Sequence, residues 1–339
     1  MWSWPCQLRY GAYVAAAKKI IIDCDPGIDD ALALALAHGQ PGLDLRGITT
    51  VAGNVGLEQT TDNALRIREF LGMPDVPVAA GCPGPLVRSA IHARQVHGAS
   101  GLGDARLPDA SSGPADVHAV DFLAAAIGAD PGQITLIATG PLTNIALAVR
   151  RYPELVAQVS DFVIMGGSAG RGNVTPAAEF NIAADPEAAA VVFGAGWTVT
   201  MVGLDVTLQA LATARARDRM RELGRLADDL LLPVLSGYRS VGGPDAPEAG
   251  DQPVHDACAV ALVAAPELIT CRAARVEVET AGRWTAGMTV TDFDAPAADV
   301  NAQVGVAIDA DGFWDLMLDA YGRVAAGLGS GRPASGLAP

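Results

Sequence analysis

Lysine is almost missing from this chain: Lys18 and Lys19 are the only two in 339 residues. Basic residues total 23 against 38 acidic ones, a net charge of −15. So acidic a molecule repels phosphate backbones and anionic bilayers, which excludes polymeric nucleic acid and the membrane surface as expected partners. Long apolar runs are also missing, and none reaches the roughly 20 residues of a membrane span. Cysteine is sparse and scattered (Cys6, Cys24, Cys82, Cys258, Cys271), with no C-x-x-C pair. That pattern argues against a disulfide framework or a zinc site and for reduced thiols in the cytoplasm. The ligands left in play are a neutral small molecule, or a cation held by carboxylates.

Half of the residues are hydrophobic, a globular proportion. Short β-branched runs at 19–23, 45–51, 76–80, 134–139, 161–165 and 198–203 alternate with Ala/Leu-rich stretches at 30–38, 57–71, 117–128, 143–150 and 185–193. Apolar, non-alternating strands between helices predict an α/β fold: an open, mostly parallel, Rossmann-like sheet with helices on both faces. The pattern turns helical over 211–235, and a Gly/Pro-rich loop follows at 236–253. Then come a helix from about 255, a strand pair (275–280 and 303–308) and a closing helix near 312–325. The expected organisation is one large domain over 18–327 with a helical C-terminal part. It lies between an N-terminal extension (1–17) and a tail rich in Gly, Ser and Pro (328–339), both expected to be disordered.

Ligands of open α/β sheets sit beyond the carboxyl ends of the strands. The first such end reads Asp23-Cys24-Asp25-Pro26-Gly27-Ile28-Asp29-Asp30, four carboxylates in eight residues. Pro-Gly forces a turn that folds the strand-end acids towards those opening the next helix. A lone Asp-Asp at a helix start is an ordinary cap. Four acids closing a buried apolar strand instead favour a bound hard cation, Ca²⁺ or Mg²⁺, over zinc. Beyond the other strand ends lie Gly53-Asn54, Thr139-Gly140-Pro141 and Met165-Gly166-Gly167.

The stretch 20–31, IIIDCDPGIDDA, resembles the defining motif of the inosine–uridine-preferring nucleoside hydrolases. The likeness continues through ITTVAGN (48–54), AGCPGPL (80–86), VHGASGLG (96–103), ATGPLTNIA (138–146) and VIMGG (163–167). It goes on through AEFNIAADPEAAA (178–190), TMVGLDVT (200–207), VHDACA (254–259) and GMTVTDF (287–293), covering about 18–321. The resemblance implies hydrolysis of the N-glycosidic bond of ribonucleosides to nucleobase and ribose, in nucleoside salvage or catabolism. It implies Ca²⁺ bound by Asp25, Asp30 (bidentate), the Thr139 carbonyl and Asp256, with Asp25 as general base on a calcium-bound water. Asp29, Asn173, Glu179 and Asn181 would hold the ribose, Asn54 and Met165 would line its site, and Asp23 would support the metal loop. His255 would protonate the leaving base, and His97 is a weaker candidate for contact with base or ribose. A homodimer or homotetramer is implied as well.

Chemistry agrees with these assignments, because an oxocarbenium-like sugar needs an activated water on one face and leaving-group help on the other. Glu179-Phe180-Asn181, read as extended, would put two polar side chains on one side and turn Phe180 to the other. Asp185 reads as a helix N-cap, and His38, His92 and His118 as surface residues. Purine-accepting members of the family carry tyrosines in the loop before the His-Asp pair; here Tyr238 is its only aromatic, which leaves base preference open. Two other readings compete. An Asp-x-Asp phosphatase-like hydrolase fits Asp23-Cys24-Asp25 superficially, but Pro-Gly follows and the basic phosphate cradle is missing. A nucleoside-binding sensor without turnover would be expected to have lost a base or metal ligand, and Asp25, Asp30 and Asp256 are all in place.

Overall fold

The computed structural model describes residues 16–237 and 251–330. Tyr238, most of the Gly/Pro-rich loop and most of the two expected end segments lie outside the described residues. The central sheet uses β1 (Lys18–Cys24), β2 (Leu43–Thr50), β3 (Val78–Ala80), β4 (Ile134–Ala138), β5 (Asp161–Met165) and β6 (Val199–Val202). A two-stranded ladder, β7 (Leu211–Ala212) with β8 (Gln252–Pro253), stands apart. Then come β9 (Ile269–Val278), β10 (Thr289–Asp292) and β11 (Ala302–Ile308), giving a nine-stranded sheet of order β10-β9-β11-β6-β5-β4-β1-β2-β3. The run from β11 to β3 is parallel, and β9 and β10 add an antiparallel edge. The C-terminal part joins helices to the expected strand pair, seen as β9 and β11, and adds β10. The short β10, Thr-Val-Thr-Asp, is too polar to announce itself as a strand.

Helices α1 (Ile28–Gly39), α2 (Leu57–Phe70), α3 (Arg94–His97), α4 (Ala119–Ala129), α5 (Thr143–Arg151) and α6 (Leu155–Gln158) fill the first half. They are followed by α7 (Phe180–Ala184), α8 (Pro186–Phe193), α9 (Leu204–Thr207) and α10 (Ala214–Arg221). A π-helical turn (Ala227–Leu231) leads into α11 (Leu232–Ser236), so the expected helix over 211–235 is broken into pieces. Helix α12 (Asp256–Ala264) and a long α13 (Ala310–Ser330) close the fold, α13 running past the expected end of the domain.

Two cores flank the sheet. On one face α1 packs against α12 and α13, and on the other α4, α5 and α8 cover the strands. Helix α1 (IDDALALALAHG) has its apolar residues on every side, which suits a helix enclosed by sheet and helices alike. Of its residues only His38 is exposed. Among the described residues no helix is long and apolar enough to cross a membrane, and Cys24, Cys82, Cys258 and Cys271 are free thiols.

Candidate active site

Register decides which residues meet. Asp23 pairs with Thr49 of β2 and with Ala138 of β4, so β1, β2 and β4 end level. The turns beyond them bring Asp25, Asn54 and Thr139 together at one sheet edge. The acids after Pro26-Gly27 double back: the Gly27 N–H donates to Asp30 Oδ2 at 2.9 Å and Thr139 Oγ1 donates to Asp30 Oδ1 at 2.8 Å. Asp25 Oδ2 accepts from the Asn54 N–H at 2.6 Å, while Asp25 Oδ1 is buried with no partner among the described residues. Asp29 Oδ1 is orphaned in the same way. A hydrogen bond from the His255 backbone reaches the Asp29 carboxyl group, tying the start of α12 to that of α1.

Glycine makes room for this crowd. A methyl group at Gly53 would overlap the Asp25 carboxylate and stand 2.8 Å from Pro141 Cδ; one at Gly140 would come within 2.7 Å of Asp25 Oδ1. Burial, then the neighbouring Asp30 charge, holds the Asp25 carboxyl well above its usual range, and the same two causes push Asp29 up to about 8. Asp256 is raised by burial and then by Asp30, Asp29 and Asp25, and its side chain is hydrogen-bonded to that of Asp30. Burial pushes Asp23 up to about 7, against the opposing bonds from Thr49 and Asn144.

The second half of the site differs from its sequence reading. Glu179 is not in an extended segment. It N-caps α7, accepting from Asn181 N at 2.9 Å and Ile182 N at 3.2 Å, and from Gly167 N at 2.9 Å. The sequence E-F-N alternates like a strand, but a carboxylate able to satisfy three backbone donors starts a helix instead. Asn181 Nδ2 donates to the Thr139 carbonyl at 2.8 Å and the Met165 carbonyl at 3.0 Å, so Asn181 ties the ends of β4 and β5 together. Asn173 is exposed, its Oδ1 accepting from the Phe180 N–H. Asp185 N-caps α8 as expected.

His97 Nδ1 accepts from the Ile28 N–H at 3.2 Å, and burial followed by the neighbouring His255 lowers its pKa to about 4. His255 Nδ1 lies 2.7 Å from Thr207 Oγ1, and burial lowers its pKa to about 4 as well. Both rings are neutral at pH 7. His38 and His118 are exposed as expected, whereas His92 is half-buried, its Nδ1 2.8 Å from the Gly53 carbonyl at the site's rim. Four contributors carried no strong sequence signal: Thr49, Asn144, Thr207 and the glycine walls.

The donors suit a hard cation: all are oxygens, three buried carboxylate oxygens (Asp23 Oδ2, Asp25 Oδ1 and Asp29 Oδ1) lack hydrogen-bond partners among the described residues, and the acids raise one another's pKa. Among the described residues, no three His, Cys, Asp or Glu side chains already stand at closed metal-cluster spacing. Like charges relax apart and share protons unless a cation gathers them.

The family model "inosine-uridine preferring nucleoside hydrolase" matches residues 20–315. The chain belongs to the inosine-uridine preferring nucleoside hydrolase family. Among its curated relatives, an inosine-uridine preferring nucleoside hydrolase of Leishmania major is 46% identical over 91% of this chain and 98% of its own. A pyrimidine-specific ribonucleoside hydrolase, RihA of Citrobacter koseri, is 42% identical over 89% and 97%. Among solved structures, the purine-preferring ribonucleoside hydrolase of Gardnerella vaginalis superposes with a TM-score of 0.84 at 35% identity, covering 91% of this chain and 99% of the other. Nucleoside hydrolases cleave ribonucleoside N-glycosidic bonds and are metal-dependent.

Proposed function

We propose that this nucleoside hydrolase cleaves ribonucleosides at the carboxyl edge of its sheet, with Asp25 as general base. One Ca²⁺ ion would be held by Asp25, Asp30, Asp256 and the Thr139 carbonyl. The observation that carries the proposal is the state of Asp25: one oxygen fixed by the Asn54 N–H, the other buried without a partner among the described residues, beside acids that repel it. Calcium bound there supplies positive charge that offsets this repulsion and makes the attacking water more acidic. Asp25 Oδ1 takes a proton from that water, whose oxygen bonds to the anomeric carbon as the C–N bond breaks and its electron pair leaves with the base. Asp29 Oδ1 and the Oδ1 of Asn181 remain to accept from ribose hydroxyls; Glu179 and Asn173 shape this pocket, with Met165, Phe180 and Tyr238 as neighbours of the substrate. His255 and His97 face the departing base as neutral imidazoles, which hydrogen-bond it through N–H.

The relatives named above are labelled for inosine and uridine, for pyrimidines and for purines. Members of one family thus carry different base labels, and in this chain base choice is assigned to what covers the base. A homodimer or homotetramer in the cytoplasm completes the proposal, and sedimentation of the purified chain checks the assembly. The main test measures reducing-sugar release from inosine and uridine before and after exhaustive chelation, with elemental analysis of the protein. Turnover should vanish and return with Ca²⁺. Full turnover by protein shown to be metal-free would overturn the assignment.

A further inference from the structure

We propose that Asn144, in the first turn of α5, is the positioning residue that locks the strand-end turns into metal-binding shape; this rests on the metal assignment above. Asn144 is fully buried. An interior amide is tolerated only when its hydrogen bonds are made, and this one is saturated on the donor side. Its Nδ2 donates to Asp23 Oδ1 at 2.8 Å and to the Thr50 carbonyl at 3.0 Å, while its Oδ1 accepts from the Cys82 N–H at 2.8 Å.

The three partners belong to three different segments, the ends of β1 and β2 and the stretch after β3. Asp23 precedes Asp25 at the end of β1, Thr50 precedes the Asn54 turn at the end of β2, and Cys82 opens the segment after β3 that carries His92 and His97. A fourth segment, Thr139-Gly140-Pro141, leads directly into the helix on which Asn144 sits. The ladders end at this level, β1–β2 at Cys24–Thr50 and β1–β4 at Asp23–Ala138, and single backbone bonds follow: the Val51 N–H donates to the Cys24 carbonyl, the Thr139 N–H to the Asp23 carbonyl and the Ala52 N–H to the Cys82 carbonyl. To these pairwise bonds one side chain adds a link that joins three of the segments at a single point. Thr49 Oγ1 helps from below, donating to the same Asp23 Oδ1 at 2.5 Å. The fit is close, because a methyl group on Gly81 would overlap the Asn144 amide. Asn144 touches none of the proposed ligands. It acts through Asp23 and the three segments, by limiting how far Asp25, Asn54 and Thr139 can drift from one another.

The test uses the full chain, stripped of metal and titrated with Ca²⁺ by calorimetry, with thermal unfolding recorded in the absence of metal and at saturation. Asn144→Ala removes the bonds, and Gly81→Ala displaces the amide while leaving Asn144 in the sequence. Ile145→Ala, a buried apolar truncation on the same helix, serves as the destabilised control. Both test variants should bind Ca²⁺ at least tenfold more weakly than wild type, and Ile145→Ala should stay within twofold although its unfolding temperature falls. If Asn144→Ala does not fold, Gly81→Ala against Ile145→Ala decides alone. Wild-type affinity in the test variants, or equal weakening in the control, would make Asn144 a plain core residue and overturn the proposal. Failure of the wild type itself to bind Ca²⁺ would overturn the metal assignment, and this proposal with it.

Discussion

The two ends of the central sheet are built on opposite terms. At the carboxyl end, Asp23, Asp25, Asp29, Asp30, Glu179 and Asp256 are all buried, and several of their oxygens face one another or nothing. At the amino end a cavity of about 330 Å³ opens beside the last turn of α12, lined by Lys18, Thr135, Asp161, Thr200 and Gln303 among others. Its charges, Lys18 and Asp161, are exposed. Lys18 Nζ simply donates to the Val263 carbonyl at 2.8 Å. Free energy held in reserve, as desolvated acids kept close by glycine walls, makes the carboxyl end the candidate site.

Four changes would break or sharpen this contrast. Asp25→Asn should have the largest effect, a loss of at least ~10²-fold in kcat, the usual scale for a general base. Because it also removes a repelled charge, the metal-free variant should unfold no earlier than wild type. Kinetics and a melting curve on one preparation check both halves. Gly53→Ala comes next: its methyl group drives the Asp25 carboxylate away from the Asn54 N–H, and kcat should fall about tenfold, ~1.4 kcal/mol in the barrier. Near-normal turnover in that variant would show that the orientation of Asp25 is not set by this wall.

The third change is in pH. Asp23 and Asp29 have folded-state pKa values of about 7 and about 8, raised from 3.8, so their protonated forms favour the folded state. That contribution is complete below the unfolded value and drains away as pH rises through the folded ones. Metal-free protein should therefore melt several degrees lower at pH 8 than at pH 5, and saturating Ca²⁺ should flatten or reverse the slope, since cations bind the deprotonated acids. A metal-free melting temperature that rises over this interval would refute the idea of reserve. The smallest effect belongs to the other end. Thr135→Val, in the lining of the amino-end cavity, should leave kcat/KM within about twofold of wild type.

Much of this could be read from the chain beforehand, for reasons that differ residue by residue. The strand-turn-helix of residues 18–39 was legible because a buried apolar strand must be followed by something that justifies four acids, and Pro-Gly fixes the fold-back. Asp185 was legible as a cap because Asp-Pro starts helices in isolation. Glu179 was not, because Glu-Phe-Asn alternates like a strand and a Glu is an uncommon cap, and the further bond from the Gly167 N–H comes from a different turn. Asn144 sits in Thr-Asn-Ile-Ala, a stretch that any helix could contain; only the sheet's register reveals that three other segments lie within its reach. His92 looked like a surface residue because nothing local shows that the Gly53 carbonyl faces it. What sequence could not supply was mostly contact between segments distant along the chain.

Helix α1 carries a last consequence. Two of the site's acids, Asp29 and Asp30, stand on the first turn of a helix enclosed by the sheet, α12 and α13, with Tyr321 Oη donating to the Leu32 carbonyl in its middle. Amides of such a helix exchange with deuterium only when the whole domain opens, not by local fraying. The turn that carries Asp29 and Asp30 is therefore expected to belong to the last unit to unfold, with its amides the slowest to exchange.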